Sequence, residues 1–164
     1  MALDALQFRP VVREDHTLLA EWIADPLVEP AFPMGEPHEI EEGAKRWVEM
    51  GVDQGSGLVA VYKGVPVGMG LLFLQTYTLI RHNCVHVLVV SPPYRELGIG
   101  EGLLGALEGL ARDKGVSLLH VEVYGDPAAV HFYLAHGYTE FGRQQGWTKT
   151  PAGYGERVLL EKFL

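Results

Sequence analysis

Val89-Val90-Ser91-Pro92-Pro93-Tyr94-Arg95-Glu96-Leu97-Gly98-Ile99-Gly100-Glu101-Gly102-Leu103-Leu104 decides the fold of this chain. β-Branched residues end a strand, prolines turn the backbone, an Arg-x-x-Gly-x-Gly run forms a loop, and apolar residues at helical spacing follow. Two glycines ahead of a helix leave several backbone N–H groups bare and pointing outward. The helix N-terminus adds about half a positive charge. Together they predict a pyrophosphate site from Arg95 through Glu96, Leu97, Gly98, Ile99 and Gly100 to Glu101, with the arginine as a further charged contact. Two other phosphate loops fit worse. A P-loop needs Lys-Ser or Lys-Thr after its last glycine, and none follows. The dinucleotide pattern Gly-x-Gly-x-x-Gly needs a third glycine where Leu103 stands, and it begins directly at a strand end.

On either side of this loop, Asn83 to Val90 and the apolar run Leu118 to Tyr124 read as strands, with a helix from Ile99 to Lys114 between them. That is a strand–helix–strand unit with a right-handed crossover. Upstream, Leu6 to Val12 reads as a strand, and Asp15 as the cap of a helix through Leu18, Leu19 and Trp22. Pro26, Pro30, Pro33 and Pro37 mark an irregular loop. A second helix carries Ile40, Ala44, Trp47 and Val48 and stops at Gly55 to Gly57. Leu58 to Tyr62 and Val65 to Gln75 form a hairpin turned at Lys63-Gly64. Downstream, Pro127 opens a helix that ends near His136-Gly137. Tyr138 to Gly142 and Glu156 to Phe163 read as two strands around a glycine-containing loop. Gly102, Gly105 and Gly109 share a helical spacing, which predicts close packing of that helix on the sheet.

A chain of 164 residues can bury a real core and predicts one domain. With 48% hydrophobic and 21% charged residues it is globular, not disordered. A net charge of −8 argues against nucleic-acid and anionic-membrane partners and suits a cationic acceptor. Cys84 is the only cysteine, so no intramolecular disulfide forms. That fits a reducing cytoplasm. Met1-Ala2-Leu3-Asp4 lacks the basic and apolar regions of a secretory signal, and no apolar run is long enough to span a bilayer.

The run V-x-P-x-x-R-x-x-G-x-G resembles motif A of the GNAT N-acetyltransferase superfamily, where this loop holds the pyrophosphate of acetyl-coenzyme A. Asp126-Pro127-Ala128-Ala129-Val130-His131-Phe132-Tyr133, followed by Gly137-Tyr138, resembles a second signature of that family, N-x-x-A-x-x-x-Y and then G-F. The resemblance covers nearly the whole chain and is specific from residue 84 to 142. It implies a mixed α/β (α+β) fold, a mostly antiparallel sheet of about seven strands with about four helices and a central β-α-β cofactor unit. It further implies acetyl-coenzyme A as cosubstrate, a small-molecule or peptide amine as acceptor, and no metal. The oligomeric state stays open, a homodimer included. Leu88 and Val90 would pair with the pantetheine arm as an added strand, provided that the strands from Asn83 and Leu118 splay apart. Asp126 stands where the family usually has Asn, beside the cofactor phosphates. A carboxylate there would repel them, so helix capping is the alternative. Tyr138 stands where Phe is usual.

By the resemblance, Tyr133 protonates the departing thiolate. A phenol with a pKa of about 10 carries the required proton at neutral pH. A core aromatic is the plainer reading. Strand alternation puts His82, Cys84, His86, Leu88 and Val90 on one face. His86 is the best candidate to deprotonate the acceptor, since histidine titrates near neutrality. The run His86-Val87-Leu88-Val89-Val90 looks like the arylalkylamine N-acetyltransferase branch, where the histidine lies in a water-lined proton path. A satisfied strand histidine is the alternative. His82-x-Cys84-x-His86 has a spacing that could ligate a metal, though acyl transfer requires none. A cysteine acyl intermediate on Cys84 is disfavoured, because no cation neighbours it. Glu29, Glu36, Glu39, Glu41, Glu42 and Glu49, with Phe32, Met34 and Trp47, offer an acidic, aromatic rim for an amine with an apolar body. Helix-dipole stabilisation explains the same acids more simply. The expected reaction is acetyl transfer to a primary amine by direct attack in a ternary complex. The rivals are a non-catalytic acyl-coenzyme A-binding regulator and an enzyme acting on protein N-termini or aminoacyl-tRNA, the charge counting against tRNA.

Overall fold

Residues 3–164 are described by the structure, a computed structural model. Met1 and Ala2, part of the terminus read above for a secretory signal, lie outside the described residues. In chain order the strands and α-helices are β1 (Leu6–Pro10), α1 (His16–Ala24), α2 (Pro37–Gln54), β2 (Gly57–Tyr62), β3 (Val65–Leu74), β4 (Asn83–Val90), α3 (Ile99–Asp113), β5 (Leu118–Tyr124), α4 (Pro127–Ala135), β6 (Thr139–Thr150) and β7 (Gly153–Phe163). The strands form one seven-stranded sheet in the order β1-β2-β3-β4-β5-β7-β6. Every neighbouring pair is antiparallel except β4–β5. A β-α-β crossover demands a parallel pair, and this is where it falls.

Alternation along β4 sends its side chains into two cores. Val87 and Val89 pack with Leu19 and Ile23 of α1 and Ala44 and Val48 of α2. Cys84 and Leu88 pack on the opposite face with Leu104 and Leu107 of α3 and Tyr133 of α4. The sheet therefore lies between two helical layers. Lys63 and Gly64 turn the β2–β3 hairpin with φ of 51° and 79°, as their sequence predicts.

Several boundaries differ from expectation. β1 ends at Pro10, and the chain turns out of the ladder after Val11. Val11 donates to the Gly57 carbonyl, and Val12 donates to the Asp15 carboxylate at 2.8 Å. Asp15 does precede α1, but its side chain makes no cap bond to that helix. It accepts two bonds of 2.8 Å from Arg9 instead. The loop expected between the last two strands is a long ribbon. β6 runs on to Thr150 and β7 begins at Gly153. Between the Gln144↔Arg157 and Thr148↔Gly155 pairs the β6 strand bulges, with Gly146 at φ 72°. That conformation favours glycine, and it carries Trp147 over the Arg157 guanidinium at 3.8 Å. The expected close packing of the α3 glycines holds only at Gly102, where a methyl would meet Leu6 of β1 at 2.9 Å. Gly105 and Gly109 face open space.

Candidate active site

The parallel pairing of β4 with β5 covers only Asn83↔Leu118, Cys84↔Leu119 and Val85↔His120. Beyond Val85 the two strands diverge, as a pantetheine-binding strand requires. The gap holds a cavity of about 210 Å³ lined by His86, Leu88, Val121, Val123 and Tyr133, with Phe32, Trp47, Phe73, Glu122 and Tyr124 also on its wall. A second cavity of about 760 Å³ continues from Tyr133 and Leu88 to the glycine loop.

The loop has the geometry of an anion cradle. Gly98 precedes α3 at φ 81°, a left-handed conformation. The helix then begins at Ile99, and this left-handed-to-helical step turns successive N–H groups toward one point. The N–H groups of Ile99, Gly100 and Glu101 have no carbonyl within their own helix to bond. Glu96 also has a positive φ of 63°, a strained conformation of the kind that collects at ligand loops. Arg95 is exposed, and its guanidinium reaches back to the carbonyls of Val90 at 3.4 Å and Leu27 at 3.5 Å.

Eight of the ten residues expected to bind the cofactor line the larger cavity: Leu88, Val90, Arg95, Glu96, Gly98, Gly100, Glu101 and Asp126. Leu97 and Ile99 do not. Ile99 is sealed in the core and has only its backbone to offer. The Asp126 carboxylate is already engaged. Its Oδ1 accepts from the N–H groups of Ala128 and Ala129 at 3.0 and 3.2 Å, so it caps α4. Tyr133 is 6% exposed and lines both cavities. Its hydroxyl has no protein partner among the described residues, and burial raises its pKa, which keeps it protonated.

His86 differs from expectation. It is fully buried, and burial drives its pKa down to about 3. A nearby charged form of His120 would push in the same direction. Nε2 shares a 3.0 Å hydrogen bond with the Tyr138 hydroxyl, and Nδ1 has no partner. Burial thus favours the neutral imidazole. The reading of His86 as a base rests on titration near neutrality, and burial works against that. Cys84 is buried too, with its thiol pushed up to about 12, which holds it as an unreactive thiol. His82 is exposed, apart from Cys84 and His86. Among the described residues no group of three or more His, Cys, Asp or Glu is placed to hold a metal.

The buried imidazole carries a stability consequence. Between pH 6.5 and about 3 the unfolded chain binds a proton at His86 that the folded chain refuses. Stability therefore falls as pH falls through this window, by up to about 1.4 kcal/mol per pH unit from this residue. Burial lowers the pKa of His120 as well, which adds in the same sense. Urea unfolding measured at a series of pH values should show this slope, and it should be shallower in His86→Gln. An equal slope in the variant would remove His86 from the acid sensitivity.

The acidic rim is only partly where expected. Phe32 and Trp47 line the inner cavity, and Glu29 and Met34 line an outer groove beside the β6–β7 ribbon. Glu41 and Glu42 lie on a different groove between α1 and α2. Glu39 bonds the N–H groups of Gly35 and Glu36, a helix-start role. The sequence reading missed Glu122, Tyr124, Trp147 and Arg157. Tyr124 donates to Glu122 at 2.7 Å, and Arg157 donates to the other Glu122 oxygen at 3.0 Å. The available signal was the carboxylate in an otherwise apolar β5.

Solved structures of similar shape include acetyltransferases. A ribosomal-protein-alanine N-acetyltransferase from Brucella melitensis is 22% identical with a TM-score of 0.83, covering 96% of this chain and 99% of its own. An N-acetyltransferase from Staphylococcus aureus Mu50 is 17% identical with a TM-score of 0.83, covering 96% and 98%. A GNAT superfamily phosphinothricin acetyltransferase from Sinorhizobium meliloti, in complex with AcCoA, is 20% identical with a TM-score of 0.84, covering 98% and 89%. No curated protein matches the sequence significantly. The chain belongs to the acetyltransferase (GNAT) family, whose sequence profile matches residues 18–138. It is an acyltransferase of the acetyl-transferring class. No helix among the described residues is long and apolar enough to cross a membrane.

Proposed function

We propose that this protein transfers the acetyl group of acetyl-coenzyme A to the nitrogen of a primary amine, by direct attack in a ternary complex. The observation that carries this reading is the gap between β4 and β5, which runs from the bare N–H groups of the glycine loop to the Tyr133 hydroxyl. When bound, acetyl-coenzyme A supplies the thioester that is the acetyl donor. The residues present fit such a ligand. The N-terminal N–H groups of α3 and the Arg95 guanidinium attract its diphosphate. The backbone of β4 from His86 to Val90, unpaired on the β5 side, offers hydrogen bonds to its amide arm. Tyr133 holds its proton until negative charge grows on sulfur, and then donates to it. His86, neutral and tied to Tyr138, shapes the cavity wall. The acceptor's proton leaves to water through the gap, and the Tyr133 phenolate takes a proton back from water, so the acid limb of kcat/KM follows the acceptor's own ionisation.

Thiol release from acetyl-coenzyme A, measured against a panel of amines, amino acids and peptides, tests the reading. Amine-dependent release with matching acetyl-amine product is the expected result. Tight donor binding without turnover of any amine would make the protein a non-catalytic binder instead.

A further inference from the structure

The inner cavity has a distinctive charge pattern. No Lys or Arg lines it, whereas Glu122 and Asp126 do. Asp126 is spent on the α4 cap. Glu122 is held in place from both sides, by the Tyr124 hydroxyl on one oxygen and Arg157 on the other. Each carboxylate oxygen still has a lone pair to offer an ammonium group.

The nearby cations are committed elsewhere. Arg157 bonds Glu122 and Gln144, lies over the Trp147 ring at 3.8 Å, and has its Nε sealed without a partner. Arg143 is clasped by Glu140 and Glu156. Lys149 borders only the outer groove, where its ammonium lies 5.9 Å from the centre of the Tyr154 ring. An acceptor carrying a carboxylate next to its nitrogen would have to bury that charge beside Glu122 with no counter-ion.

The rest of the wall is apolar. Trp47 sits between Phe32 and Phe73, with ring centroids 5.9 and 5.6 Å away. Such a corner takes a flat or compact apolar body and favours a cation at its face. At about 210 Å³ the space is below the roughly 300–1,000 Å³ of larger ligand pockets.

We propose that the acceptor is a primary amine with a compact apolar body and no anionic group beside its nitrogen, the ammonium drawn to Glu122 and the body lying against Phe32, Trp47 and Phe73. Free α-amino acids are thereby excluded. This selectivity rests on the acetyl-transfer reading above.

A matched series separates the two. 2-Phenylethylamine, phenylalaninamide and phenylalanine share one ring, and only phenylalanine carries a carboxylate. Steady-state rates are measured at saturating acetyl-coenzyme A, corrected for each acceptor's free-amine fraction, with donor binding followed by calorimetry. The amine and the amide should exceed phenylalanine in kcat/KM by at least about 100-fold, the scale set by an unpaired buried polar group. Glu122→Gln should raise the KM for 2-phenylethylamine more than it lowers kcat, leave donor affinity unchanged, and narrow the gap to phenylalanine. Phenylalanine used as well as its amide would overturn the proposal. So would failure of the whole series in an enzyme that binds the donor and acetylates other amines, with acetyl transfer itself standing. Failure to bind the donor at all would overturn the acetyl-transfer reading and this proposal with it.

Discussion

Tyr133→Phe should slow the single-turnover acetyl transfer by about 10²–10⁴-fold, the usual contribution of a positioned proton donor. The substitution removes one oxygen and little else. The ring packs against Phe132, Tyr138 and His86, with centroids 5.2, 5.2 and 5.7 Å away, and phenylalanine keeps those contacts. The hydroxyl has no protein partner among the described residues, so no buried donor or acceptor is orphaned by its loss. Donor affinity should therefore change little while kcat falls, the pattern of an interaction made chiefly in the transition state. Rapid mixing is the appropriate measurement, because slow product release would hide part of the effect in steady state. A single-turnover rate equal to that of the unaltered enzyme would remove Tyr133 from the chemistry.

Gly100→Glu should abolish donor binding while sparing the fold. Gly100 lies in ordinary helical backbone, and a methyl at its Cα would sit 3.6 Å from the Phe132 ring, a normal contact. Alanine at this position should fold and bind, which makes it the control. Glutamate adds a negative charge in the first turn of α3, where the donor's diphosphate is proposed to sit. Affinity should fall at least about 100-fold, roughly 2.7 kcal/mol, with the melting temperature unchanged. Calorimetry showing undiminished binding by the folded Glu variant would refute the loop assignment.

What the sequence made legible was local. The strand–loop–helix–strand from Asn83 to Tyr124 and the Lys63-Gly64 turn depend on periodicity and backbone preference within a few residues, and they appear nearly as read. The outer part of the β6–β7 ribbon, from Arg143 to Gly155, reads as a loop because β6 is largely exposed and lacks the alternating apolar pattern of a half-buried strand. The close packing expected at Gly105 and Gly109 failed because spacing alone does not say whether a neighbour lies over that face. At the site, the glycine loop and Tyr133 sit in segments with their own signatures. The His86–Tyr138 bond joins residues 52 apart in sequence, and the Glu122–Arg157 bond residues 35 apart. No window along the chain contains either pair. Such contacts tie His86 to Tyr138 and Arg157 to Glu122, and only the folded chain brings them together.

The open seam between β4 and β5 also bears on cohesion. Three residue pairs are all that the two halves of the sheet share as neighbouring strands. They are also joined by the His86–Tyr138 and Asn83–His120 hydrogen bonds and by α3, whose Leu104 and Leu107 join the cluster holding Leu119 and Val121 of β5, while its Ile99 and Leu103 pack on Ala60 and Val67 of β2 and β3. α3 thus spans the seam on one face of the sheet. The donor proposed to lie along β4 would act as a removable strand, and by mass action it would steady the whole molecule by about 2.7 kcal/mol at a hundred times its Kd. On that proposal the fold is at its most cohesive when it is loaded for reaction.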